Sequence, residues 1–195
     1  ILYYRWGKYE RANEYLSRAV TAAPVQACVA YYYRGHLRLK DSRFEDAIQA
    51  YRKGLVHNPQ SIELNTNIAT ALRRLGHAEE AIAFCERALD AAGEDDANRR
   101  AALELNYSGA LDDSGRVEEA LAAADRVIAA VPEHIDAHYN RAQGLLSSGR
   151  LAEGWQEYAW RLQRPQANAR YELFPAPRWR GEDTTGKHVL VWTEQ

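Results

Sequence analysis

Residues 62–93 read IELNTNIATALRRLGHAEEAIAFCERALDAAG, two helix-length segments parted by Gly76 and closed by Gly93. The small residues Ala69 and Ala81 flank the central glycine, one on each segment, where a close helix–helix approach would need them. Working outward, Gly7, Ser42, Gly76, Gly115 and Gly149 lie 35, 34, 39 and 34 residues apart. Five residues after each stands Ala12, Ala47, Ala81, Ala120 or Gly154. A breaker closes the units at Pro24, Pro59, Gly93 and Pro132. The chain is therefore read as one helical hairpin written several times.

This period, with two helices and a closing turn per unit, resembles the tetratricopeptide repeat over residues 1 to about 164. Numbered from the start of each unit, position 8 is Gly35, Ala69, Ser108 and Ala142, and position 20 is the alanine and glycine series above. Position 17 (Tyr9, Phe44, Ala78, Val117, Leu151) and position 11 (Tyr3, Arg38, Leu72, Leu111, Leu145) are mostly apolar and fill the space between hairpins. Arg38 is the departure. Because one hairpin cannot bury its apolar face alone, the units must stack. The expected fold is all-α, a right-handed α-α solenoid followed by a short non-helical linker and one apolar β-strand. The expected boundaries are a truncated first repeat at 1–26, four repeats at 28–164, a linker at 165–187 and a strand at 188–195. Five extra residues fall within Glu94 to Arg100, predicting a longer loop or a lengthened helix there, with either a local change of pitch or no consequence.

Composition narrows the function. With 25 Lys and Arg against 27 Asp and Glu, a net charge of −2 gives no long-range pull on phosphate backbones, so nucleic acid is not expected as a partner. Cys28 and Cys85 lie far apart, without metal-ligand spacing, and read as small buried hydrophobes. No apolar run approaches the roughly 20 residues that span a bilayer, and the sequence does not open with a basic start followed by an apolar run. The expectation is a soluble, cytoplasmic chain with no membrane partner. It begins at Ile1 and contains no Met, which reads as a piece of something longer.

The resemblance implies that the first helix of each hairpin lines an inner groove. Position 6 of that helix is Tyr33, Asn67, Asn106 and Asn140. A primary amide carries two donors and an acceptor, so three in register suit the N–H and C=O groups of an extended peptide. The series resembles the asparagine ladder in the tetratricopeptide arm of protein O-GlcNAc transferases; Tyr33 departs from it. The same amides also suit bonds inside the hairpin. Tyr32, His36, Thr66, Thr70, Leu105, Tyr139 and Gln143 surround the ladder, with Arg73 and Arg74 toward one end and Asp112 and Asp113 toward the other. The carboxylate clamp of chaperone-binding relatives needs lysine at position 5, where Tyr32, Thr66, Leu105 and Tyr139 stand instead.

Two other patterns carry less. Residues 181–187 spell GEDTTGK, but His188 stands where a phosphate loop needs Ser or Thr, and an apolar run follows where a helix should open. His134 and His138 have the i, i+4 spacing of a metal pair on a helix, yet one sits in a turn and the other at a packing position. No catalytic constellation, metal site or cofactor is expected in these residues.

After Gly154 the pattern changes to GWQEYAWR, then FPAPRWRG, a Gly-Lys turn and the apolar run Val189 to Trp192. This succession resembles the junction between a tetratricopeptide arm and a GT-B glycosyltransferase-like domain in bacterial proteins. It implies that Trp155, Tyr158, Trp160 and Trp179 seat the arm against that further domain, and that any sugar-nucleotide site lies outside this chain. The resulting expectation is an interaction arm that binds a client segment and recruits it for glycosylation. A stand-alone assembly scaffold and a self-associating module are the alternatives.

Overall fold

The computed structural model describes residues 11, 14–18, 27–93, 96–164, 183, 185 and 186. The truncated first repeat, the linker, Trp179 and the apolar run after Lys187 therefore lie largely or wholly outside the described residues. A helical stretch at 14–18 precedes eight helices: α1 (Ala27–Lys40), α2 (Phe44–Leu55), α3 (Ile62–Arg74), α4 (Ala78–Ala92), α5 (Ala97–Asp113), α6 (Val117–Ala130), α7 (Ile135–Ser147) and α8 (Leu151–Tyr158). A 3₁₀ turn, Ala159–Gln163, follows. Each helix packs against the next, and α3–α5 and α5–α7 also adjoin. The chain divides into two compact units, 1–161 and 162–195, and all eight helices belong to the first. In the second, Asp183 Oδ1 accepts hydrogen bonds from Thr185 N and Oγ1 at 3.0 and 2.7 Å.

The repeat period has a backbone cause. Gly76, Gly115 and Gly149 have φ of 79°, 80° and 80°, and Ser42 takes the same left-handed turn at 56° without being glycine. In each hairpin the carbonyl at position 11 (Arg38, Leu72, Leu111, Leu145) then accepts from the N–H five residues on, at 2.9 Å in all four. The turn thus reverses the chain at a fixed point. It brings the small positions together: Ala47, Ala81 and Ala120 are buried, and Ser108 Oγ donates to the Ala120 carbonyl at 3.0 Å.

The extra residues lengthen a helix. At 17 residues α5 exceeds α3 and α7, each of 13, and Asp96 caps it by accepting from Arg99 N at 3.0 Å. Among the described residues no helix is long and apolar enough to cross a membrane.

Candidate functional site

Helices α3, α5 and α7 approach their next-but-one neighbours, so these helices share one side of the stack, to which the repeat register also assigns α1. That places the three position-6 asparagines along one face, each half-buried. They are not equivalent. Asn140 Nδ2 donates to the Leu105 carbonyl of α5 at 3.3 Å, strapping two repeats together. Asn106 Nδ2 donates to Ala102 O in its own helix at 3.1 Å. The Asn67 side chain makes no hydrogen bond among the described residues. Since an amide has two N–H groups and an oxygen, Asn106 and Asn140 each keep one donor and the acceptor.

An aromatic cluster forms the α1 end. Tyr32 meets the Tyr33 ring edge-on at 5.2 Å and lies against His36 at 4.3 Å. His36 Nδ1 and the Tyr51 hydroxyl share a 2.6 Å hydrogen bond, and burial pushes the imidazole below its usual titration range. Tyr51 is fully buried because Gly35 leaves it room. Thr70 is exposed, and its hydroxyl donates back to Thr66 O at 3.0 Å. Arg74 and Gln143 are exposed, and Tyr139 is half-buried with its ring 5.7 Å from that of Tyr158.

The charges expected at opposite ends of the groove meet. Arg73 Nε donates to Asp113 Oδ2 at 2.6 Å, joining α3 to α5. Its guanidinium lies over Gly109, where a Cβ would come within 2.5 Å of Nη1. Beside it, burial and then Asp113 raise the Asp112 carboxyl above its ordinary range, while Arg73 opposes them.

At the α8 end Trp160 stacks on His138 with ring centres 3.9 Å apart and planes within 2°. His138 Nδ1 lies 2.5 Å from Glu157 Oε2, and Nε2 lies 2.8 Å from Pro132 O. His134 Nδ1 accepts from Ala137 N at 3.3 Å as a helix cap. The two histidines therefore have separate structural tasks, and no metal-ligating cluster occurs among the described residues. Trp155 remains 60% exposed, its ring edge-on to Tyr158, which also carries Arg161 over its face at 4.3 Å.

Sequence reasoning overlooked a series of polar groups at position 4. Asn65, Glu104 and His138 are all buried. Arg126 donates to both Glu104 oxygens, at 3.1 and 2.7 Å. Asn65 Nδ2 donates to Ser61 O at 2.9 Å, while its Oδ1 has no partner. Their common register was the available signal.

The tetratricopeptide-repeat model matches residues 1–62, 32–97 and 110–170, most of the chain. The chain belongs to the tetratricopeptide-repeat family. It is 30% identical over 157 residues to protein FlbA of Caulobacter vibrioides, covering 79% of this chain and 26% of that protein. It is 28% identical over 114 residues to tetratricopeptide repeat protein 8 of Mus musculus, covering 58% of this chain and 21% of that one. This repeat chain thus spans about a quarter of the length of these relatives. Among solved structures, MamA superimposes with a TM-score of 0.71 at 18% identity, covering 87% of this chain and 95% of MamA. YrrB, described as a repeat protein with an unusual peptide-binding site, gives 0.70 at 19% identity, covering 89% and 88%. The type IV pilus biogenesis factor PilW gives 0.69 at 24% identity, covering 85% and 76%. These likenesses establish the repeat solenoid.

Proposed function

We propose that the inner groove binds an extended segment of a client protein, held by its main chain along Asn67, Asn106 and Asn140. The observation that carries this reading is the row of half-buried amides on one face, with Asn67 unbonded and the other two keeping a donor and an acceptor. An extended strand presents N–H and C=O groups that match such amides, and Tyr32, Tyr33, His36, Thr70, Arg74, Tyr139 and Gln143 would supply side-chain preference. The description of YrrB as peptide-binding is consistent with this use of the fold.

The finer reading is that the captured segment is presented to an attached glycosyltransferase-like domain, with Trp155, Tyr158, Trp160 and Trp179 at the junction. It rests on the sequence pattern from Gly154 to Gln195 alone. A stand-alone scaffold would use the same groove without transfer.

Fluorescence anisotropy with library-selected peptides tests the groove. The triple change Asn67, Asn106 and Asn140 to Ala is expected to weaken binding by at least tenfold, since each lost hydrogen bond contributes about 1 kcal/mol. Unchanged affinity in a folded triple variant would remove the ladder. Sugar transfer to a bound peptide by the full-length natural protein separates the transferase reading from the scaffold.

A further inference from the structure

The position-11 departure, Arg38, lines a cleft between α1 and α2. Along α1, Tyr31, Arg34 and Arg38 follow one another at helical spacing; along α2, Arg43, Asp46, Gln49, Ala50 and Lys53 face them. Together they line a cleft of about 130 Å³. Arg43 and Asp46 neutralise each other as an ion pair. Arg34, Arg38 and Lys53 form no side-chain hydrogen bond or ion pair among the described residues.

The rest of the solenoid treats such groups differently. Position 11 is buried leucine in Leu72, Leu111 and Leu145. Position 7, where Arg34 stands, is buried Ile68 in the next repeat and Arg141 in the last. Arg141 is half-buried, as Arg34 is, but is satisfied by Asp125 and Glu157 at 2.7 Å each. The fold supplies carboxylates to a guanidinium at this register in one hairpin and none in the other. Two half-buried, unpaired arginines on one cleft cost desolvation without return unless an anion completes them.

We propose that this cleft binds a phosphate monoester. Three unpaired cations exceed what a single carboxylate neutralises, whereas a phosphate monoester carries about −1.5 to −2 charges and three strong acceptor oxygens. A volume of about 130 Å³ is room for roughly four waters, enough to admit a phosphate group. Tyr31 and Gln49 also line the cleft and carry neutral donors. The site is formed by side chains of α1 and α2 and does not depend on the inner-groove reading. Its ligand is either a phosphorylated side chain of a partner protein or a small phosphate.

The test uses the whole chain in three forms: wild type, Arg34→Gln and Arg38→Leu. Arg38→Leu copies the residue of the other three repeats, so it is expected to melt no lower than wild type without ligand. Melting is followed against inorganic phosphate, with chloride at equal ionic strength as control, and calorimetry compares phosphate with a phosphoserine peptide and its unphosphorylated form. The expected result is a phosphate-specific rise in wild-type Tm. Binding is expected to weaken at least about tenfold in each variant. Tighter binding of the phosphopeptide than of phosphate supports the site and assigns it to a protein partner. Equal binding of the two supports it and assigns it to a small phosphate. No phosphate-specific effect in wild type, or the same effect in folded variants, overturns it.

Discussion

Gly35→Ala tests the packing argument where it is tightest. A Cβ on Gly35 would lie 2.2, 2.5 and 2.6 Å from three ring carbons of Tyr51, although carbon atoms attract best at about 3.5–4.0 Å. More than 1 Å of overlap must be relieved. The Tyr51 ring cannot swing out, because it is fully buried and its hydroxyl is bonded to His36. Overpacking of this kind costs about 1–3 kcal/mol, and the rigid neighbour puts this site at the upper end. Ala recovers about 1 kcal/mol of helix propensity, leaving a net loss of about 2 kcal/mol. For a chain of this length that is a fall in Tm of about 4–8 °C. Urea and thermal unfolding followed by far-UV circular dichroism measure it. Gly109→Ala is the internal control: its Cβ would meet the Arg73 guanidinium, the end of a flexible side chain, so displacing it loses at most the partly exposed ion pair to Asp113, about 0–1 kcal/mol, against about 1 kcal/mol of helix propensity gained, and stability changes little. A Gly35→Ala protein as stable as wild type, or a Gly109→Ala protein losing as much, would refute the reasoning.

Removing the two partners of the Glu104–Arg126 pair, a buried carboxylate under a half-exposed guanidinium, should cost unequally. Arg126→Ala leaves the Glu104 carboxylate buried with only Arg100 nearby at 3.9 Å and is expected to lose about 2 kcal/mol by urea unfolding, against less than about 1 for Glu104→Gln. Single ladder variants should separate stability from binding. Asn140→Ala is expected to cost about 1 kcal/mol through its bond to Leu105 O, and Asn67→Ala under about 0.5, while Asn67→Ala weakens the selected peptides more. Burial pushes the Cys85 thiol up from 9.0 to about 12, so at pH 8 it should resist a thiol reagent until urea is added. His36 is held below its ordinary 6.5, so the folded form binds fewer protons than the unfolded one there. Stability is then complete above pH 6.5 and falls as pH drops through the lowered value; His36→Phe should flatten that slope in pH-dependent melting.

The hairpin was legible because its determinants are local. The turn glycines, the small pair at positions 8 and 20 and the closing breakers act within one unit, so each recurrence repeats the same message. Ser42 shows the tolerance of that code, holding at φ 56° a turn that the other repeats give to glycine. What escaped the sequence are contacts between units or between distant faces of one. Arg73 reaches Asp113 only because Gly109 leaves a slot one repeat away, and Glu104 finds Arg126 22 residues on. His134 and His138 share a spacing that suits a metal, yet the start of α7 falls between them. It turns one into a cap and buries the other under Trp160. Spacing alone carries no information on where a helix begins; the repeat register does, and it places one histidine in the turn and the other at a packing position.

If the inner face binds a client as proposed, the same side chains must do two things. A solenoid has no long-range core, so each junction relies on the groups that cross it, and several of these project into the groove. The Asn140 amide holds α5, and Arg73 holds Asp113. A ligand lying along this face competes with those straps or adds to them. Where it replaces a strap, the exchange returns only the difference between two hydrogen bonds; where it meets an unspent amide, the whole bond is gain. Among the three, Asn67 alone is wholly unspent, since Asn106 and Asn140 have each committed one donor. On the proposed reading, the strongest grip on an extended client is therefore expected in the α1–α3 half of the groove, with α5 and α7 contributing less.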